Sequence, residues 1–239
     1  MNNEKPLNNQ VALITGASRG IGLAIARQLG RLGARMALCA RNEKGLAQEA
    51  ESLRREGIEA LTIVADVTKP EQVKSLVNEI EKTLGTIHIL VNNAGRGVFG
   101  SFQQLTETDW DTVLDTNLKA VFLVSQAVVP GMMRLRTGHI INFSSLAGKN
   151  SFAGGSIYCA SKWGLQGLTG CIAEDLRGSG IRVSSVCPGT VQTDFSPHGG
   201  KDHGKMLQPD DVAHAVGMLV TQAPQSFISE VHLRPTQKP

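Results

Sequence analysis

Val11-Ala12-Leu13-Ile14-Thr15-Gly16-Ala17-Ser18-Arg19-Gly20-Ile21-Gly22 decides how the rest of the chain is read. A short apolar run passes into a glycine-rich turn and then directly into an apolar helix. Glycines let a chain turn tightly, let backbone approach a pyrophosphate, and let a helix pack closely on a strand. The helix N-terminus adds unpaired N–H groups and a dipole that favours phosphate. The spacing is GxxxGxG rather than GxGxxG. Alone, such a turn could be purely structural; its place between first strand and first helix favours a nucleotide phosphate site.

Moving outward, short apolar runs alternate with helix-like stretches to the end of the chain. Val11–Thr15, Met36–Ala40, Leu61–Ala65, Ile87–Asn92, His139–Ser144, Arg182–Cys187 and Phe227–Leu233 read as seven strands. Most are continuous apolar runs, as parallel strands covered on both faces should be. Helices are expected near 20–32, 43–57, 70–84, 108–135, 157–178 and 209–222. Gly33 and Gly57 suit helix ends, and Pro70 with Glu71, and Pro209 with Asp210 and Asp211, suit helix starts. Pro130 predicts a kink or early end in the fourth helix. The pattern predicts an α/β fold: a Rossmann-like, doubly wound, seven-stranded parallel sheet with helices on both faces. No repeat, linker or composition break divides it, so residues 1–239 are expected to form a single domain.

Composition is that of a soluble globular enzyme, with 41% hydrophobic and 19% charged residues. The net charge of +3 is spread along the chain and gives no nucleic-acid footprint. Met1 to Gln10 lacks the features of a signal peptide, and no apolar run approaches the length of a bilayer span. Cys39, Cys159, Cys171 and Cys187 have no CxxC spacing and read as small buried hydrophobes of a reducing cytoplasm. The six histidines, His88, His139, His198, His203, His214 and His232, lack metal-ligand spacing, so no metal is expected.

The turn Thr15–Gly22 resembles the TGxxxGxG motif of the short-chain dehydrogenase/reductase family. The match continues in order through Asn92-Asn93-Ala94-Gly95, Asn117, Ser145, Tyr158-x-x-x-Lys162 and Pro188-Gly189, covering roughly residues 8 to 234. The resemblance implies a nicotinamide cofactor held by Gly16, Ser18, Arg19, Gly20, Ile21 and Gly22. It places Asp66 and Val67 at the adenine, Asn93, Ala94 and Gly95 along the cofactor, and Pro188, Gly189, Val191 and Thr193 at the nicotinamide. The second strand ends in Cys39-Ala40-Arg41-Asn42, without the carboxylate that binds a ribose 2′-hydroxyl in NAD sites. Arg41 and Arg19 could converge on a 2′-phosphate instead, which points to NADPH/NADP. The plain alternative is two surface arginines.

Tyr158 is the only tyrosine, and Lys162 follows one helical turn later, so both share a face. That spacing means little until Ser145 is added upstream. Free tyrosine has a pKa near 10, and a nearby ammonium stabilises phenolate. Lowering the pKa by about 3 would need about 4 kcal/mol. Tyr158 is expected to be the general acid in carbonyl reduction, Ser145 to orient the substrate oxygen, and Lys162 also to bind the nicotinamide ribose. Ser144 competes with Ser145, but strand alternation points neighbours to opposite sides. The resemblance gives Asn117 the support of a water chain to the lysine; its plain alternative is a helix-interior asparagine serving the backbone.

A variable lid is expected over 194–208, with Phe195 and Phe99 as apolar wall and no obvious anchor for a small acid. Asn92–Gly95, Ile140–Gly148 and Tyr158–Gly167 are most similar to 3-oxoacyl-acyl-carrier-protein reductases, enzymes of fatty acid biosynthesis. In that subgroup basic residues receive the acidic carrier protein; Arg136 matches one position, and Ser179 stands where a second arginine is common. The ending Val231-His232-Leu233-Arg234-Pro235-Thr236 looks more like reductases of small hydroxy acids or general carbonyl compounds. The expectation is reduction of a 3-oxoacyl thioester, carried on acyl carrier protein as in that subgroup, with small-molecule ketones, aldehydes or hydroxy acids as the alternative. A non-catalytic NADP-binding regulator would typically lack the tyrosine or lysine. Trp110 and Trp163 flank the site, on helices that pair between subunits in this family, so a homodimer or homotetramer is expected beside simple intramolecular packing.

Overall fold

The computed structural model describes residues 5–195 and 202–239. Seven strands, β1 (Val11–Thr15), β2 (Arg35–Ala40), β3 (Ala60–Val64), β4 (Ile87–Asn92), β5 (Gly138–Phe143), β6 (Ile181–Pro188) and β7 (Glu230–Leu233), form one sheet. Its order is β3-β2-β1-β4-β5-β6-β7, and every pairing is parallel. The order reverses between β1 and β4, where a doubly wound sheet opens a crevice at its carboxyl edge. The expected fold is the one observed.

Alternation along the strands builds two cores. Ala12 and Ile14 of β1 and Met36 and Leu38 of β2 face α1 (Gly20–Arg31), α2 (Glu43–Arg55) and α7 (Pro209–Val220), packing with Ile25, Leu29, Leu53 and Val216. Val11, Leu13 and Ala37 point the other way, onto α3 (Pro70–Thr83) and α5 (Ala120–Leu135), with Leu76, Ile80, Val124 and Val128. Both faces are thus dry, as the continuous apolar runs require. The edge strands are the exceptions: no residue of β3 or β7 is fully buried, and Val64 is half exposed.

Helix ends follow their punctuation. Gly33 and Gly57 have φ of 101° and 76°, and Ala34 and Ile58 each donate back to a carbonyl five residues earlier, Leu29 and Leu53. Those 6→1 bonds close both helices. Pro70 and Pro209 open α3 and α7, with Glu71, Asp210 and Asp211 in the first turns.

The fourth expected helix is more elaborate. It consists of α4 (Glu107–Leu114), a π turn at Asp115–Lys119 and α5. Pro130 does not end it: the helix runs on to Leu135. Pro130 and Gln126, whose carbonyl would have accepted the missing N–H bond, both lie on the solvent side. Joined by the π turn, Glu107–Leu135 is a 29-residue helical run long and apolar enough to cross a membrane by length and composition, contrary to the sequence expectation. Here it packs on the sheet, with Val121, Val124, Val128 and Met132 buried. The seventh strand is shorter than expected because Ile228 gives its carbonyl to the Ser184 hydroxyl, outside the ladder. Cys171 is exposed on α6 (Ser156–Arg177), unlike the other three cysteines.

Candidate active site

The carboxyl ends of the strands open into a cleft of about 1430 Å³. Of the residues expected at the site, all line it except Gly22 and Asn117, which stand just behind its wall. Of the expected lid, 196–201, including His198, fall outside the described residues; Asp194 and Phe195 line the cleft.

The phosphate turn is built by backbone proximity. Gly16 has φ of 66°, and a Cβ on it would sit 2.9 Å from the Ala94 Cα. A Cβ on Gly22 would sit 2.5 Å from the Gly16 carbonyl oxygen and 2.6 Å from Asn93 Nδ2. Thr15 Oγ1 accepts from the N–H groups of Asn93 and Ala94, while Asn93 Nδ2 donates to the carbonyls of Thr15 and Gly16. The ends of β1 and β4 are therefore sewn together under the turn. Helices α2, α3, α4 and α7 carry an acid in the first turn; α1 has neither an acid there nor a side-chain cap. Its start, Gly20 and Ile21, lines the cleft without a side-chain cap, which suits a phosphate.

Arg19 and Arg41 flank this end of the cleft. Arg19 lies 3.4 Å from Asp194, but both side chains are mostly exposed, so the pair is weak. Burial pushes the Asp66 carboxyl up, but the Thr68 N–H and hydroxyl, then Arg41 and Lys69, outweigh it and leave it below its ordinary value. No carboxylate stands at the end of β2. The residues present fit a dinucleotide with a ribose phosphate: an uncapped helix end, a cradle that side chains would fill, and two arginines.

Tyr158 and Lys162 lie on α6 and are 9% and 5% exposed. The Lys162 ammonium sits 5.7 Å from the Tyr158 ring centroid and donates to the Phe143 carbonyl at 2.7 Å. Ser145 follows β5 and its Oγ accepts from the Ala147 N–H; Ser144 also borders the cleft, but its buried hydroxyl donates to the Lys162 carbonyl. Since β5 ends at Phe143, this turn rather than strand alternation separates the two serines. Phe99 and Phe195 stand against the phenol, with ring centroids at 5.3 and 5.8 Å. Phe152, whose isolated position gives no sequence signal, extends the aromatic wall from Phe99 at 6.2 Å.

The expected lowering of the tyrosine pKa is reversed here. Burial pushes the Tyr158 phenol up to about 12, with the Ser145 hydroxyl pulling the other way. Burial also lowers Lys162 to about 8, with neighbouring Cys187 opposing. Desolvation disfavours both charged forms, and the ammonium is spent on a carbonyl rather than on the phenol. A neutral phenol at physiological pH is what a proton donor requires. Because Tyr158 is the only tyrosine, its titration can be followed alone. Tyrosinate absorbance of the cofactor-free protein should remain absent through pH 10, the free value, and appear only above it. Half-ionisation below 10 would contradict the burial account.

Asn117 sits in the π turn, 1% exposed. Its Oδ1 accepts the Arg96 N–H at 2.7 Å, and its Nδ2 donates to the Arg96 carbonyl and to Ser161 Oγ. The side chain clamps the loop after β4 to α6 and makes no direct contact with Lys162 in this structure. Beneath it, Asn92 Nδ2 donates to Asn142 Oδ1 and Ser125 Oγ, and Asn142 Nδ2 donates to Thr169 Oγ1. This fully buried network fixes α6 on β4 and β5. Cys187, Glu230 and His232 also bring three potential ligand atoms within 4.8 Å, a grouping their sequence spacing does not announce. The Lys149 ammonium, 2.8 Å from Glu230 Oε1, already lies at that carboxylate.

The model for the family described as short chain dehydrogenase matches residues 10–203. The chain belongs to that family. A granaticin polyketide synthase putative ketoacyl reductase of Streptomyces violaceoruber is 45% identical over 185 residues, 77% of this chain and 68% of the relative. A 3-oxoacyl-[acyl-carrier-protein] reductase of Pseudomonas aeruginosa is 37% identical over 225 residues, 90% and 91% of the two chains. Among solved structures, a metagenomic short-chain oxidoreductase in complex with NADP is 44% identical, with TM-score 0.87, covering 98% of this chain and 100% of the other. The short-chain dehydrogenase reading of the motifs therefore holds, and the protein is an oxidoreductase.

Proposed function

We propose that this chain uses NADPH to reduce the ketone of a 3-oxoacyl thioester to the 3-hydroxyacyl product. The observation that carries the reading is a buried, protonated Tyr158 beside Ser145 and Lys162 in a cleft that fits NADP. The relatives named for ketoacyl and 3-oxoacyl reduction support the substrate class, and the NADP-bound neighbour supports the cofactor.

Bound NADPH would supply hydride to the carbonyl carbon. Ser145 Oγ donates to the carbonyl oxygen and holds it against the phenol. Tyr158 Oη gives its proton to that oxygen as the C–H bond forms, and the resulting phenolate recovers a proton from solvent. Lys162 would hold the nicotinamide ribose, where its charge favours the phenolate transiently formed. Gly16 to Gly22 would receive the pyrophosphate, Arg19 and Arg41 the 2′-phosphate, Asp66 and Val67 the adenine, and Asn93 to Gly95 the intervening ribose. Pro188, Gly189, Val191 and Thr193 would hold the carboxamide. Asn117 acts as a positioning residue through Arg96 and Ser161, and the phenylalanines exclude water from the reacting carbon.

Reduction of free ketones, aldehydes or hydroxy-acid precursors is the second reading. The segment 234–239, which departs from the glycine-rich ending of the acyl-carrier reductases, lines the cleft and favours it. NADPH absorbance followed with 3-oxoacyl thioesters and with free carbonyl compounds separates the two. Thioester turnover supports the first, turnover of free carbonyls alone the second, and cofactor binding without any turnover would leave a regulator. We read the half-exposed Trp110, Phe122 and Trp163 on α4, α5 and α6 as a face shared with a second copy in a cytoplasmic dimer or tetramer.

A further inference from the structure

We propose that Arg234 and Lys238 form an anion subsite at the substrate end of the cleft, so that the carbonyl substrate carries a carboxylate or phosphate remote from its ketone. This rests on the carbonyl-reductase reading above and narrows its substrate.

The segment after β7 turns onto the cleft and lines it from Arg234 to Pro239. It is anchored there: the Gly189 N–H donates to the Leu233 carbonyl at 2.9 Å, and Pro235 lies 3.2 Å from where a Gly189 Cβ would be. The strand order fixes which end this is. Arg19 and Arg41 belong to the turn after β1 and the end of β2, whereas β7 is the opposite edge of the sheet. Five strand intervals separate β2 from β7, roughly 24 Å at the usual spacing of neighbouring strands. Arg234, the first residue after β7, therefore leaves the sheet on the side away from the adenosine-side arginines, next to Gly189.

Charge compensation distinguishes the two ends. Two acidic side chains line the cleft, Asp66 and Asp194, with the Pro239 α-carboxylate beside Lys238. Asp194 pairs with Arg19, and Asp66 feels Arg41 and Lys69. Glu230, four residues before Arg234, receives Lys149 and His232. Among the described residues, no ion pair or side-chain hydrogen bond engages Arg234 or Lys238. Two uncompensated cations thus border a pocket whose inner wall, Phe99, Phe152 and Phe195, is apolar. An amphiphilic substrate fits this arrangement, with its ketone among the aromatic rings and its anionic group at the rim. Two sources share this chemistry: the substrate's own carboxylate, and the phosphate of a pantetheine arm.

Matched pairs test it: 5-oxohexanoate against its methyl ester, and phosphorylated S-acetoacetyl pantetheine against its unphosphorylated counterpart. The wild type should favour the anionic member of at least one pair by about tenfold in kcat/KM, less so at high salt. The pair that shows the preference identifies the source. In Arg234→Gln/Lys238→Gln the preference should collapse through KM, the neutral member shifting much less. Equal turnover of both members by the wild type would overturn the subsite, as would a preference that survives the substitutions or an equal loss on both members. Should no carbonyl compound turn over, the reductase reading fails, and calorimetric binding of 5-oxohexanoate and of phosphopantetheine to the NADP-loaded protein decides the subsite. Binding weakened in the variant supports it; absent or unchanged binding overturns it.

Discussion

Replacing Tyr158 by phenylalanine should lower kcat by at least a thousandfold while leaving NADPH affinity within a few fold. The phenol is 9% exposed and packed edge-on against Phe99. Removing one oxygen keeps that packing, because the ring is what fills the space. What disappears is the phenol proton, the more acidic of the two aimed at the carbonyl oxygen. Water cannot readily replace it behind Phe99 and Phe195, and positioned general acids typically contribute a hundred- to ten-thousandfold. The expected loss lies toward the upper part of that range because the alternative donor, Ser145, holds its proton far more tightly than a phenol. Steady-state kinetics with a saturating carbonyl substrate, and fluorescence titration of NADPH, measure the two quantities separately. Turnover within tenfold of the wild type would remove Tyr158 from the chemistry.

The second large effect concerns the cofactor. In Arg19→Ala/Arg41→Ala, the ratio of NADPH to NADH affinity should fall by two to three orders of magnitude, almost wholly through NADPH. A hydrogen bond to a charged group contributes about 1.5–3 kcal/mol, and two such contacts correspond to roughly a hundred- to twenty-thousandfold, with exposed arginines toward the lower end. The existing Arg19–Asp194 pair offsets little of this, since its side chains are 71% and 81% exposed. The α1 N-terminus and its glycine cradle remain intact in the variant, so the pyrophosphate shared by both cofactors keeps its site. Dissociation constants for both nucleotides supply the check. An equal loss for NADH and NADPH would place the arginines on the shared pyrophosphate rather than on a 2′-phosphate.

Much of this site is legible in the sequence because its determinants are local. The glycines at 16, 20 and 22, the strand before them and the helix after them are contiguous, and one turn of helix places Tyr158 and Lys162 on one face. The missing carboxylate after Cys39 is likewise a single-position reading. What escapes is set by long-range contacts. Nothing in Asn92, Ser125, Asn142 and Thr169 announces that they close one buried hydrogen-bond network. The π turn at Asp115–Lys119 adds one residue to a helical repeat without a compositional mark, and only its effect on Asn117 shows its use. Pro130 reads as disruptive because its spacing does not reveal that it faces solvent. The sign of the Tyr158 shift escapes for a related reason: a lysine four residues away is visible in the sequence, whereas the depth of burial that raises the phenol is not. The basic segment 234–239 is legible as charge, but only the β7 edge position turns it toward the cleft.

The central claim is that Tyr158 protonates a ketone while NADPH provides hydride, and one assay addresses it directly. S-acetoacetyl pantetheine is incubated with NADPH and either the wild type or Tyr158→Phe, and the loss of NADPH absorbance is followed together with the 3-hydroxy product. The account predicts one product formed per NADPH consumed by the wild type, with both signals nearly abolished in the variant. NADPH consumption without hydroxy product, or equal product formation by the two proteins, would contradict it.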